Sequence, residues 1–350
     1  MPSLTLLALL LAADLPGAVP LSVETREMMA TRVTVALVGV SGAEAERAFQ
    51  AAFGAFERVE EAMNEWRPGS PLDRINRGAG RREPVPAPAD LCEVLRIGLE
   101  GARRTGGLFD PTWAALRDVW TFDGSHRGTV PPREAVARRC KLVAHRRVQI
   151  APRPAGCAVR LPVSGMRLGL GGLAKGWGVD RAVERLRALG LRSFFVQAGG
   201  DLYAAGKRGD RPWRVGIRDP RGGPDDVLGQ LEVTDAAFST SGDYERWFEV
   251  GGVRYHHIID PRTCEPARAS RQSTVLARTA TDAEILTKAT FILGGEKGLA
   301  LAEQSGAGAV IVDAEGHMAV SPSLAGRIWW NERGRSGAAA QGDGTRSPDR

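Results

Sequence analysis

The sequence has little that would commit it to nucleic acid or to a membrane span. Its 350 residues carry a formal charge of +6. Yet no block of Lys and Arg stands out, and the basic residues, mostly Arg, are scattered among acids. A nucleic-acid motif and an aromatic-basic stripe are both missing, which points away from DNA or RNA as a partner. What remains for the basic excess is a membrane surface or an anionic small ligand. The four cysteines, Cys92, Cys140, Cys157 and Cys264, form no CxxC pair and no zinc spacing. In an exported chain one or two disulfides are open to them. Cys140–Cys157 is the pairing least at odds with the spacing, and four separate thiols is the alternative. The apolar run at residues 4–13, broken only by Thr5, is too short to cross a bilayer. It suits the core of a secretory signal over residues 1–20, although no Lys or Arg precedes it. No cysteine follows closely, so a lipobox anchor is not supported. The expected location is the periplasm or cell envelope.

What is present is ordinary globular material, 43% hydrophobic and 25% charged, enough for one large domain or two fused lobes. Residues 31–38 alternate as a strand does, with Val33, Val35 and Leu37 on one face. Ser41 with Glu44 three places on reads as a capping box. The stripe Ala45, Phe49, Phe53, Phe56, Val59, Met63 and Trp66 predicts one long helix, ended by Pro68-Gly69. A second helix begins near Asp90 and stops before Gly106-Gly107. Residues 123–165 are rich in Pro, Arg and Gly and read as a loop-rich excursion. Further on, the pattern predicts a helix over 178–189 and strands at 193–196, 202–205 and 213–217. A hairpin follows, turning at Gly251-Gly252 between 244–250 and 253–260. Two helices are predicted over 282–293 and 296–304, then a hairpin of 309–312 with 318–320. Hairpins mixed with helices argue an α+β fold of largely antiparallel sheets with packed helices, in two intertwined lobes. The main domain spans 24–325, and a polar Gly/Ala/Ser-rich tail at 336–350 reads as disordered.

Four stretches offer chemistry. Gly169-Leu-Gly-Gly-Leu-Ala174 formally fits the dinucleotide fingerprint, but Gln197 stands where the ribose-binding acid belongs, and hairpins surround the unit. A glycine turn entering a helix beside Lys175 is still an anion site, through its free N–H groups. Gln197-Ala-Gly-Gly-Asp201 is a tight turn between strands. Phe238-Ser-Thr-Ser-Gly-Asp243 gathers three hydroxyls and a carboxylate, a loop suited to sugar hydroxyls and phosphates or simply a loop. His256-His257-Ile-Ile-Asp-Pro-Arg262 offers a proton-transfer group, an acid to orient it and a phosphate clamp, in a chain with 5 histidines.

Taken in order, these motifs resemble the FAD:protein FMN transferases, also described as thiamine-biosynthesis-type lipoproteins. The resemblance runs from Met28 to Val320. It also rests on Met29-Ala-Thr31, Gly107-Leu-Phe-Asp-Pro-Thr112, Trp213-Arg-Val-Gly-Ile217 and Phe291-Ile-Leu-Gly294. It implies an enzyme that breaks FAD with the help of magnesium, passes FMN to a threonine of an exported acceptor such as a membrane redox-complex subunit, and releases AMP. The implied catalytic residues are His257, as base, with Asp260 and Arg262. Those implied for FAD are Met29, Phe109, Asp110, Lys175, Asp180, Gly199, Gly200, Asp201, Ser239, Thr240, Ser241, Gly242 and Ile258. The implied metal positions are Gly172, by its carbonyl, Glu284 and Lys288. The alternatives are a flavin-binding protein without transferase activity and a FAD pyrophosphatase.

This sequence departs from the family pattern at three places. Gly169 stands where Asp is usual, and Cys264 where Gly is usual. Glu284 and Lys288 occupy the helix positions that usually hold Asp and Thr. An ammonium cannot ligate a metal, and Asp282 would substitute only by a shift of register.

Overall fold

A computed structural model describes residues 19–122 and 129–338. The apolar run at 4–13 and the tail beyond 338 lie outside these residues. Residues 336–338, placed in the tail by the sequence, complete a short helix, Glu332–Ala338.

The organising element is an eight-stranded sheet whose order in space follows the chain. Its strands are β1 (Leu21–Met28), β2 (Thr31–Val38), β3 (Phe194–Ala198) and β4 (Asp201–Ala205), then β5 (Ala236–Gly242), β6 (Ser270–Ala277), β7 (Gly308–Asp313) and β8 (Met318–Val320). Every neighbouring pair is antiparallel. That excludes the βαβ unit which a true dinucleotide fingerprint requires.

Side-chain alternation assigns the two faces. Val33, Val35, Leu37, Phe194, Val196, Tyr203, Ala309 and Ile311 point to one core. Helices α1 (Gly42–Met63), α3 (Ala174–Ala188) and α4 (Ala280–Leu293) cover it. Ala36, Phe195, Leu202, Phe238, Val310 and Val312 point to the other face, against a three-stranded sheet of Trp213–Arg218, Val227–Val233 and Ile328–Trp330. A third core lies under α2 (Ala89–Arg104) and a small sheet of Val85–Ala87, Gln149–Arg153 and Gly156–Arg160. Phe53 and Phe56 are fully buried on α1, so truncating either to alanine costs about 3–5 kcal/mol.

Several sequence expectations need correction. The long helix ends at Met63, and Trp66 lies past it, 74% exposed, with the Arg117 guanidinium 4.5 Å over its ring. Ser41 precedes α1 without a side-chain cap. Helix α3 starts at Ala174, four residues before the predicted start, which brings Lys175 into its first turn. The hydroxyl-rich stretch at 238–243 runs through the inner strand β5 and is not an open loop. Both disulfides differ from the expected pair: they are Cys92–Cys157 and Cys140–Cys264. The first pins α2 to the small sheet, and the second pins helix Arg133–Cys140 to the turn after Asp260.

Candidate active site

Two hairpin turns meet at one end of the main sheet. Met29 and Ala30 join β1 to β2 with φ of 52° and 55°, a left-handed two-residue turn built without glycine. Gly199 and Gly200 join β3 to β4, and Gly199 N–H donates to the Arg32 carbonyl at 3.1 Å. Asp201, the first residue of β4, is thereby held beside the entry of α3.

Four charged groups close on each other there. Lys175 Nζ lies 2.6 Å from Asp201 Oδ2 and also pairs with Glu284. Lys288 Nζ lies 3.3 Å from the same Glu284 Oε1. Ser239 Oγ donates to Asp201 Oδ1 at 2.5 Å, and Gly176 N–H donates to Glu284 Oε2 at 2.8 Å. The Glu284 side chain is 0% exposed, while the lysine side chains keep 26% and 22%. Burial alone would raise the Glu284 carboxyl, but Lys175, Lys288 and the Gly176 N–H outweigh it and hold it below the usual range. Burial pulls Lys288 down, against the Glu284 charge and with that of Lys175. Lys175 moves the other way: its burial is overcome by Asp201 and Glu284, which keep it firmly charged.

Glycine 172 faces this cluster. A methyl group built on it would stand 3.4 Å from the Phe109 ring and 3.6 Å from Lys288 Cε. The structure therefore brings Phe109, Gly172, Lys175, Asp201, Ser239, Glu284 and Lys288 together.

Other expected site residues have partners within the fold. Asp180, on α3, accepts the Ala280 and Thr281 N–H groups at 2.8 and 2.9 Å and the Thr281 hydroxyl at 2.5 Å, so it caps α4. Asp110 caps the 3-10 turn Pro111–Leu116 and binds His145 Nδ1 at 2.7 Å. Thr240 pairs across the strands with Thr274, and the Ser241 hydroxyl meets that of Thr287 on α4. Ile258 is buried against Leu108, Ala267 and Phe291. Met29 packs between two of the cores. A side chain on Gly242 would strike the Tyr244 ring. Asp282 pairs with Arg104 at 2.5 Å and takes no place in the cluster.

The two adjacent histidines differ sharply. His256 is buried, with Nε2 2.8 Å from the Ala267 carbonyl and Nδ1 accepting Ile258 N–H at 3.3 Å. Both ring nitrogens are used. His257 Nδ1 is buried without a partner. Burial, the His256 ring and the Arg246 charge push His257 down to about 3. Asp260 does not orient either histidine. It accepts the Arg262 N–H, Nε and Nη2, and Arg262 stays 53% exposed.

Residues 29–311 match the ApbE family. The chain belongs to it. A FAD:protein FMN transferase of Treponema pallidum (strain Nichols) is 35% identical over 303 residues, 82% of each chain. A FAD:protein FMN transferase of Vibrio cholerae is 32% identical over 252 residues, 71% of this chain and 73% of that one. Among solved structures, an ApbE protein of Thermotoga maritima is similar with a TM-score of 0.78 at 30% identity, over 87% of this chain and 98% of that one. The flavin transferase ApbE of Vibrio cholerae gives 0.77 at 25%, with the same coverage.

The magnesium expected from the sequence can be tested against the donors present. Glu284 Oε1 already meets two ammonium groups, and Oε2 accepts a backbone N–H. Both Asp201 oxygens are engaged as well. A dication added here would face two ammonium charges with no unengaged carboxylate oxygen, so this donor set does not fit it. Among the described residues, Asp313, Glu315 and His317 are close enough to share an ion. They lie on the β7–β8 turn, where Asp313 Oδ1 already accepts the N–H groups of Glu315, Gly316 and His317.

Proposed function

We propose that this chain is a FAD:protein FMN transferase that moves FMN from FAD to a threonine hydroxyl of an exported acceptor protein. The observation that carries the reading is the buried lysine–carboxylate cluster beside Gly172, at the entry of α3, within a chain of this family. The new phosphoester forms between the threonine oxygen and the FMN phosphorus. The bond from that phosphorus to the bridging oxygen of AMP breaks, AMP leaves with the bridging electrons, and the hydroxyl proton is released. Positive charge near the bridging oxygens lowers the barrier, because negative charge builds there as AMP departs.

His257 is the base in this scheme. His257 Nδ1 makes no hydrogen bond, whereas both nitrogens of His256 are occupied, so His257 is the imidazole with a nitrogen left for the threonine proton once the acceptor uncovers and polarises it. Arg262 is a phosphate contact by its exposed guanidinium, with Asp260 fixing its plane.

Export and an envelope acceptor, such as a membrane redox-complex subunit, belong to the same proposal. The two disulfides favour an oxidising compartment. Incubating the protein with FAD and a threonine-bearing acceptor domain tests the reading. Transfer gives a fluorescent acceptor band and AMP. Free FMN without a labelled acceptor indicates a pyrophosphatase, and an absence of both products indicates a binding protein.

A further inference from the structure

Glu284 holds the Lys288 ammonium beside the Gly172 turn, and from this we infer that the protein neutralises its pyrophosphate substrate with fixed lysine charge, without a divalent ion. The inference rests on the transferase reading for its substrate. It concerns what supplies the positive charge.

Three observations carry it. First, Lys288 is a turn away from Glu284 on α4 and is held by it at 3.3 Å, so its head is positioned rather than free. Second, Lys288 Cε approaches the glycine turn, 3.6 Å from a methyl built on Gly172, a backbone segment without side chains to block a phosphate. Third, Lys175 is fixed against both Asp201 and Glu284. The two ammonium groups share Glu284, so one carboxylate orients both.

The electrostatics agree. Lys175 and Lys288 bring two amino groups, and Asp201 and Glu284 bring two carboxyl groups. Before substrate enters, burial works against charge on both Lys288 and Asp201. The bridging pyrophosphate of FAD adds two negative charges, and an anion beside Lys288 restores the full ammonium charge that burial erodes. A magnesium ion would instead bring two further positive charges beside two ammonium groups. In transfer, Lys288 stays protonated: threonine oxygen bonds to the FMN phosphorus, AMP departs with the electrons of the broken bond, and the hydroxyl proton goes to His257. The lysines only offset charge.

The test combines a binding arm with a turnover arm. Calorimetry with ADP and with FAD is run in EDTA and then in magnesium, followed by transfer to a threonine-bearing acceptor under the same conditions. Wild-type affinity and turnover should each stay within about threefold between EDTA and magnesium. Lys288→Thr should bind ADP about tenfold more weakly in EDTA, as for the loss of one charged hydrogen bond, and should recover in magnesium. Lys288→Arg keeps the charge and should remain indifferent to EDTA, which covers the case of a threonine variant that does not fold. Wild-type ADP binding or turnover that disappears in EDTA and returns with magnesium overturns the inference. Metal-indifferent binding without transfer in either condition supports the lysine role and overturns the transferase reading instead.

Discussion

Glu284 Oε2 accepts the Gly176 N–H at 2.8 Å across 108 residues of sequence, so a carboxylate from α4 closes the first turn of α3. The contact needs glycine: a Cβ on residue 176 would stand 2.5 Å from the Ala280 carbonyl oxygen. A helix start favours an anion through its N–H groups and dipole. In this protein an internal carboxylate takes up one of those N–H groups. Under the proposed reading an incoming pyrophosphate meets the two lysines instead.

Lys175 therefore has two duties, and its removal should show both. Lys175→Ala leaves Asp201 without its cation and Glu284 with Lys288 alone. Breaking a buried pair from one side costs about 3 kcal/mol of stability. FAD binding should weaken by about 1.5–3 kcal/mol, the value of one charged hydrogen bond. Denaturant melts and calorimetry read the two effects separately, and unchanged FAD affinity would remove Lys175 from the site.

The histidines should separate by phenotype. His257→Ala should slow transfer by on the order of 100-fold while FAD binding holds. His256→Ala should act on folding instead, because it deletes the bonds to Ala267 and Ile258 and the edge contact with the Phe291 ring. Single-turnover rates beside melting curves decide. Greater loss of transfer in the His256 variant, at equal stability, would reverse the assignment.

His256 also gives the fold a pH dependence with a definite sign. Burial, opposed by its bond to the Ala267 carbonyl, lowers it to about 4. Between about pH 6.5 and about 4 the unfolded chain therefore binds a proton at this residue that the folded chain does not. The stabilisation is complete above pH 6.5 and fades as pH falls toward 4. Urea melts at pH 7.5 and pH 5 should differ by about 2 kcal/mol more in the wild type than in His256→Asn, which removes the titration. An equal pH slope in both proteins would exclude the effect.

Asp180 should matter for stability and little for ligand contact. Its carboxylate caps α4 from α3, and Asp180→Ala strands the Ala280 and Thr281 N–H groups. The expected loss is about 1–2 kcal/mol. FAD affinity should fall only as far as α4 carries Glu284 and Lys288 out of place. Asp180→Asn, which keeps one acceptor oxygen, should recover part of the stability in thermal melts.

Much of this frame is legible in the sequence where one periodicity dominates. The Phe49, Phe53, Phe56 and Val59 stripe gives α1, and Ala309–Val312 with Met318–Val320 gives the closing hairpin. Strand β5 is not legible, because Ser239 and Ser241 are buried by pairing with Asp201 and Thr287, which lie far away in the chain. Hydroxyl-rich sequence resembles a loop until those partners are known. The roles of Asp180 and Asp110 are hidden for the same reason: the groups they cap or bind lie on other segments. Trp66 fits the helical stripe by spacing alone, but the helix ends at Met63 with Asn64 as its cap. Cysteine spacing says nothing of connectivity, which depends on how α2 and the Asp260 turn are placed.

Cys264 carries the last prediction. It sits at φ 60°, a left-handed position that favours glycine, and its N–H donates to the Asp260 carbonyl at 2.7 Å. Trp120 Nε1 donates to its carbonyl at 2.8 Å, and its sulfur is bonded to Cys140. The backbone strain and the disulfide can be separated by two double variants. Cys140→Ala with Cys264→Ala loses the crosslink and keeps a Cβ in the left-handed region, at a cost of about 2–5 kcal/mol. Cys140→Ala with Cys264→Gly loses the same crosslink but relieves the backbone, and should be about 1 kcal/mol more stable than the alanine pair. Both variants loosen the segment from His257 to Arg262, so transfer should fall more than FAD affinity. If the glycine pair is no more stable than the alanine pair in urea melts, residue 264 is not held left-handed in solution. If transfer is unchanged in both, the Cys140–Cys264 bond stabilises the fold without positioning the His257–Arg262 segment.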